Sequence, residues 1–157
     1  MSGVNFKKKI LVTGSTGSLG SFIKKSSLSK KCFFPDKKKL NILNKNKIDS
    51  FFKKNKLDMI IHCAALARMK DCELNKKKAY QINVKGTENL IKICKKYNPN
   101  IKFVYISSDA VYPSISGNYN ENSKLSKIIP SHNLKLNKDI YKQINYTKTI
   151  KRNETGK

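Results

Sequence analysis

Apolar residues arrive in short blocks separated by lysine, and the blocks have two periods. Ile10, Leu11 and Val12 form a continuous apolar run that ends on a glycine, the pattern of a buried strand at 9–13. Residues 17–28 mix small, apolar and lysine positions at helical spacing. A second strand is expected at 31–34, closed by Pro35 and Asp36, and a short third one at 40–42. Ile48, Phe51 and Phe52 give 46–56 a helical face. Residues 57–62 read as a strand with a near-continuous apolar core. Ile82, Leu90, Ile91 and Cys94 stripe a helix over 79–97, which Asn98, Pro99 and Asn100 stop. The last clear strand is 101–106.

Strands that alternate with helices indicate βαβ units and a parallel sheet covered on both faces. The expected fold is therefore α/β, a Rossmann-like doubly wound parallel sheet of order 3-2-1-4-5. Right-handed crossovers leave few other topologies. Its ligand crevice lies at the carboxyl ends of the strands, beside the switch point between the first and the fourth. After Glu121 the pattern fades. Residues 122–157 carry scattered apolar positions among lysine and asparagine, with at most a weak helix at 134–144. This divides the chain into a domain at 1–121 and a poorly specified tail at 122–157, and leaves the sheet C-terminally incomplete.

The length of 157 residues suits about one domain. Lys and Arg number 34 against 10 Asp and Glu, a formal charge of +24. Only Arg68 and Arg152 are arginine, and the lysines spread along the whole chain. Nucleic-acid binders concentrate cations on one face and interleave aromatics for stacking. The charge here reads as a solvated surface, and no specific nucleic-acid partner is expected. No apolar run approaches the ~20 residues of a membrane span or makes a signal-peptide core, so a cytoplasmic chain with no membrane partner is expected. Cys32, Cys63, Cys72 and Cys94 show no metal-like spacing, and His62 and His132 lie far apart. Reduced thiols are expected, with Cys32 and Cys63 as small core residues, and no structural metal.

The sharpest motif is Thr13-Gly14-Ser15-Thr16-Gly17-Ser18-Leu19-Gly20, placed between a strand and a helix as a dinucleotide-binding turn requires. Gly14 permits a tight turn, Gly17 a close approach of the backbone to a pyrophosphate, and Gly20 close helix–strand packing. The N–H groups at the helix start then face the anion.

In its spacing this turn resembles the extended short-chain dehydrogenase/reductase family. Further segments agree in order. Ile60-Ile-His-Cys-Ala-Ala65 is similar to the family's fourth strand, and Asn83-Val-Lys-Gly-Thr-Glu-Asn-Leu90 to its next helix. Val104-Tyr-Ile-Ser-Ser-Asp-Ala-Val-Tyr112 resembles the strand that carries the active-site Ser or Thr, and Gly117-Asn-Tyr-Asn-Glu121 the loop after it. Within the family, Ser-Ser-Asp-x-Val-Tyr and Leu40-Asn-Ile-Leu43 most resemble dTDP-4-dehydrorhamnose reductases and related sugar-nucleotide reductases. The likeness covers residues 7 to about 121.

The resemblance implies an oxidoreductase acting on a nucleotide-sugar substrate with NADP, NAD remaining possible. It implies that Gly17, Ser18 and Leu19 cradle the cofactor pyrophosphate, in a cofactor-binding turn that also includes Gly14 and Gly20. Lys37 matches the basic residue that pairs a ribose 2′-phosphate, whereas Asp36 could accept from a free 2′-hydroxyl. Asn41 and Ile42 match the adenine contacts, with Asn41 standing where the family often carries Asp. Ala64, Ala65 and Leu66 match the strand end beside the nicotinamide ribose, and Asn83 a helix residue that supports the active-site backbone. Ser108 matches the catalytic hydroxyl that hydrogen-bonds the sugar ketone, where charge develops in the transition state, with Asp109 beside it at the substrate.

The family's general acid is a tyrosine with a lysine four residues later. The residues four beyond Tyr80, Tyr97, Tyr105, Tyr112, Tyr119, Tyr141 and Tyr146 are Val84, Ile101, Asp109, Ser116, Ser123, Asn145 and Ile150, and none is lysine. The expectation is a truncated or frame-shifted reductase of impaired activity, which lacks the substrate domain. The alternative is a non-catalytic dinucleotide-binding module. The oligomeric state is left open.

Overall fold

The run of Ile10, Leu11 and Val12 leaves no position for a solvated face, and the strand it forms, β1 (Ile10–Thr13), is buried along its whole length. Such a strand needs partners on both edges. In the computed structural model, which describes residues 9–108 together with 118, 120 and 123, it has them. β2 (Cys32–Phe33) lies on one side and β3 (Met59–His62) on the other, with β4 (Lys102–Tyr105) beyond. The order is β2-β1-β3-β4 and every pairing is parallel. In register, Ile10 faces Met59 and Thr13 faces His62. The chain is thus an α/β protein with a Rossmann-like parallel sheet.

The helices sit close to their expected places. α1 (Ser18–Lys25) ends three residues earlier than the spacing suggests. Ser26 there takes an extended backbone and its hydroxyl donates to the Ile23 carbonyl, so a 3₁₀ turn at Ser27–Lys31 carries the chain to β2. α2 (Lys45–Lys54) is capped by Asn44, whose side chain accepts from the Lys47 N–H at 3.0 Å. α3 (Met69–Leu74) was not expected from the pattern, because it buries none of its residues and so leaves no apolar stripe. α4 (Lys76–Tyr80) runs through a π segment at Gln81–Gly86 into α5 (Thr87–Tyr97).

The expected third strand at 40–42 does not form. Its backbone is consumed by turns: the Leu40 N–H donates to the Asp36 carbonyl at 2.8 Å, and the Asn44 N–H to the Asn41 carbonyl at 2.9 Å. The Asn41 side chain accepts from the Leu43 N–H at 3.0 Å. Leu40 and Ile42 are still buried, as members of the core cluster rather than as strand residues. The sheet among the described residues therefore has four strands, and β2 is an edge.

The core lies between one sheet face and the helices that follow β2 and β3. Leu11 and Ile60 from the sheet meet Ile48 and Phe52 of α2 and Leu90 and Cys94 of α5. Ile10 and Val12, one step off in the alternation, are buried on the opposite side. Cys94 is the buried thiol. Cys32 and Cys63, expected in the core, are only half-buried, because they stand at strand ends where the sheet opens toward loops. All four thiols are free. No helix among the described residues is long and apolar enough to cross a membrane. Asp109 and the tail at 122–157, apart from Ser123, lie outside the described residues.

Candidate functional site

A cleft of about 290 Å³ opens at the carboxyl ends of β1 and β3. Residues 13–17 of the glycine turn form its floor, and residues 35–37 and 40–43 one wall. Cys63, Ala64 and Ala65 form the other wall, with Ile82 behind. This is the switch-point crevice the topology demands. A second hollow of about 330 Å³, against α2 at Lys39, Lys47 and Lys54, holds none of the expected site residues.

The three glycines of the turn have three different causes. Gly14 has φ +70°, and a Cβ on it would stand 2.7 Å from the Ala64 nitrogen. It serves both the turn and the approach of the opposite wall. A Cβ on Gly20 would strike the Gly14 carbonyl and lie 2.8 Å from the Ser15 Cα, so α1 can sit against the turn only with hydrogen there. Gly17 is different. Its backbone is extended, with φ −78° and ψ 172°, which any residue adopts. A Cβ on it would meet only the Gly14 carbonyl at 3.4 Å. Neither conformation nor packing within the protein asks for glycine at this position.

Gly17 is also the N-cap of α1 and offers no side-chain cap. The first turn of that helix holds no acidic residue, and the last turn holds Lys24 and Lys25. Its N-terminal N–H groups and positive dipole end are left for an acceptor from outside the helix. Ser18 and Leu19 lie in this exposed first turn, while Gly20 is buried beneath it; none of the three lines the cleft itself.

Hydrogen bonds fix both walls. Ser15 Oγ donates to the Pro35 carbonyl at 3.0 Å and ties the turn to the loop after β2. In that loop an Asp36 carboxylate oxygen accepts from the Lys39 N–H at 2.8 Å, so it is committed to its own turn. Lys37, one residue on, is exposed and lines the cleft. Asn41 and Ile42 line it too. The Ile42 carbonyl accepts from Asn89 Nδ2 at 3.1 Å. Its side chain lies where a Cβ on Gly86 would be, 2.5 Å from Cδ1. On the opposite wall Leu66 does not reach the cleft. Its N–H donates to Asn83 Oδ1 at 2.8 Å and its carbonyl accepts from Asn83 Nδ2 at 3.0 Å. Ser108 is exposed three residues beyond the end of β4 and is not part of the cleft lining.

The pattern of the sequence missed one polar centre. His62 is 1% exposed, with Nδ1 at 2.6 Å from Thr13 Oγ1 and Nε2 at 3.0 Å from Thr87 Oγ1. Burial pushes its pKa down to about 4, so the ring is neutral near pH 7. Burial also raises the Cys63 thiol, which makes this cleft residue a poor nucleophile. The segment Asn83–Leu90, singled out as a motif, thus has a physical content. Asn83 holds Leu66, Gly86 admits Ile42, Thr87 holds His62, Asn89 holds the Ile42 carbonyl, and Leu90 fills the core. One stretch of helix anchors both walls.

Comparison with known proteins agrees with this geometry. The family model described as RmlD substrate binding domain matches residues 8–128. A dTDP-D-glucose 4,6-dehydratase of Dictyostelium discoideum is 30% identical over 149 residues, which cover 78% of this chain and 34% of that protein. A dTDP-4-dehydrorhamnose reductase of Aggregatibacter actinomycetemcomitans is 30% identical over 117 residues, covering 72% and 39%. The crystal structure of dTDP-4-dehydrorhamnose reductase from Bacillus anthracis, in complex with NADP, superposes with a TM-score of 0.62 at 29% identity, covering 67% of this chain and 38% of that one. The chain spans well under half the length of these relatives. The match of a single family model to most of the sequence, on a sheet shared with a solved reductase, establishes that the chain belongs to the RmlD substrate binding domain family.

Proposed function

We propose that the chain binds NADP as the dinucleotide-holding part of a sugar-nucleotide reductase of the dTDP-4-dehydrorhamnose reductase type. The observation that carries the reading is Gly17. It is a glycine that neither the backbone nor the packing requires, at the uncapped start of a helix on the cleft floor. A pyrophosphate there would fill the space a Cβ would take and would accept from the first-turn N–H groups of Ser18, Leu19 and Gly20. The Bacillus anthracis relative, solved with NADP, supports the same cofactor.

The wall residues then sort by chemistry. Asn41 and Ile42 would flank the adenine, and Ala64 and Ala65 would leave room for the nicotinamide ribose. Lys37 is the cation available to a 2′-phosphate, and Asp36, whose carboxylate already holds its own turn, is the weaker partner for a 2′-hydroxyl. This favours NADP over NAD. A nicotinamide bound there supplies hydride-transfer chemistry. Ser108 would polarise the ketone of a nucleotide-linked 4-keto sugar, with Asp109 beside it. No tyrosine among the 157 residues has a lysine four later. The reading therefore assigns this chain cofactor binding, with turnover negligible on its own residues.

The test is a fluorescence titration of the full chain with NADPH, alongside Gly17→Val. The wild type should bind and the variant should not, while both give the same far-ultraviolet circular dichroism. Equal binding by the two would remove the pyrophosphate from the turn.

A further inference from the structure

Of the five buried polar side chains among the described residues, three meet at His62: Thr13 and Thr87 each bond its ring. Counting protons fixes its state. The Thr87 hydroxyl has one proton and donates it to the Asn83 carbonyl at 2.7 Å. Toward His62 it can only accept, so Nε2 carries the ring proton and Nδ1 is a bare acceptor. Thr13 Oγ1 accepts from the Ala64 N–H at 3.3 Å and gives its own proton to Nδ1. The bonds run in one direction: Ala64 to Thr13, Thr13 to His62, His62 to Thr87, Thr87 to the Asn83 carbonyl. The Asn83 side chain then closes on both backbone groups of Leu66. The circuit starts and ends on the same wall of the cleft.

We propose that His62 is a positioning residue for the dinucleotide cleft: by bridging Thr13 and Thr87 it holds the segment 64–66 at a fixed distance from the glycine turn. The inference rests on the reading of the cleft given above. Its force comes from the tolerance at Gly14, where the Ala64 nitrogen lies 2.7 Å from the place of a Cβ. Any shift of Ala64 changes the width of the cleft directly. A ring is needed because its acceptor and donor sit on well-separated corners and reach threonines on different elements. Phe103 and Tyr105, with ring centroids at 5.7 and 5.8 Å, confine it from β4. Among the described residues the imidazole thus meets two threonine hydroxyls and two aromatic rings.

A purely structural histidine would affect stability alone. Three variants separate the roles. His62→Phe keeps ring volume and loses both hydrogen bonds. His62→Asn can keep an acceptor toward Thr13, nearest Ala64. Thr87→Val cuts the circuit outside the strand and serves if either His62 variant fails to fold. NADPH dissociation constants, urea midpoints and amide exchange at Ala64 and Leu66 are measured on each. The expected result is about tenfold weaker NADPH binding in His62→Phe, the scale of one or two lost neutral hydrogen bonds, with partial recovery in His62→Asn whatever its stability. Exchange at Ala64 and Leu66 should quicken in Thr87→Val even without nucleotide. Affinity that simply follows stability across the variants, or exchange at both amides unchanged from wild type, overturns the proposal. If the wild type binds no NADPH, the exchange arm still decides whether the circuit holds the wall, and only the cofactor reading falls.

Discussion

Lowering the pH from 7 to 5 should destabilise the wild type much more than a variant that lacks His62. Burial sets the folded pKa of His62 at about 4, against 6.5 for an accessible imidazole. The unfolded chain therefore takes up a proton as pH falls through 6.5, and the folded chain refuses it until about 4. The stabilising contribution is complete above 6.5 and is lost progressively between 6.5 and 4. Each pH unit inside that window costs about 1.4 kcal/mol, so the whole window amounts to roughly 3 kcal/mol. That is a large share of the ~5–15 kcal/mol that holds a domain folded. Among the described residues, the other acids and amines whose titration the fold shifts lie outside the window. Hydrogen bonds from Lys96 and Tyr97 hold the Asp49 carboxyl below its usual range, so its release lies at lower pH. The Glu88 partner raises Lys85, and Asp49 raises Lys96, far above it. The assay is urea unfolding of the wild type and His62→Gln at pH 7, 6 and 5. The wild type should lose about 1.4 kcal/mol more than the variant between pH 6 and 5. Parallel curves would show that the ring is not desolvated as the structure has it.

The glycines of the turn should separate folding from binding. Gly14→Ala and Gly20→Ala place a Cβ against backbone atoms at 2.7 and 2.8 Å and should cost about 1–3 kcal/mol or more in urea unfolding. Gly17→Ala meets only one atom at 3.4 Å and should unfold within ~0.5 kcal/mol of the wild type, yet bind NADPH more weakly. Leu90→Ala removes a side chain with no exposed surface between α2 and the sheet, and should cost about 2–5 kcal/mol by the same measurement.

What the sequence shows and what it hides follow from how local each feature is. Ile10 to Val12 are legible because a strand buried on both faces must be apolar throughout, and Met59 to Ile61 because a short apolar run marks a strand even though only Ile60 of the three is fully buried. Gly14, Gly17 and Gly20 are legible because their spacing follows from the strand–turn–helix geometry. Leu40 and Ile42 carry the same apolar signal, but Asp36 and Asn41 bind the backbone around them into turns, and periodicity cannot reveal that competition. The π segment is a change of backbone hydrogen-bond register at Gln81–Gly86, and the four apolar positions Ile82, Leu90, Ile91 and Cys94 are too few to reveal it. His62 reads as a lone histidine because its partners stand 49 and 25 residues away, on Thr13 and Thr87. Only the fold brings those three together.

The central claim is that the cleft takes a dinucleotide with a 2′-phosphate. It is tested most directly by titrating the full chain and Lys37→Ala with NADPH and with NADH under identical salt. The wild type should prefer NADPH by roughly tenfold to a hundredfold, the worth of one charge-assisted contact of ~1.5–3 kcal/mol, and Lys37→Ala should bind the two alike. Saturation by neither nucleotide at millimolar concentration, with the fold intact, would contradict the account.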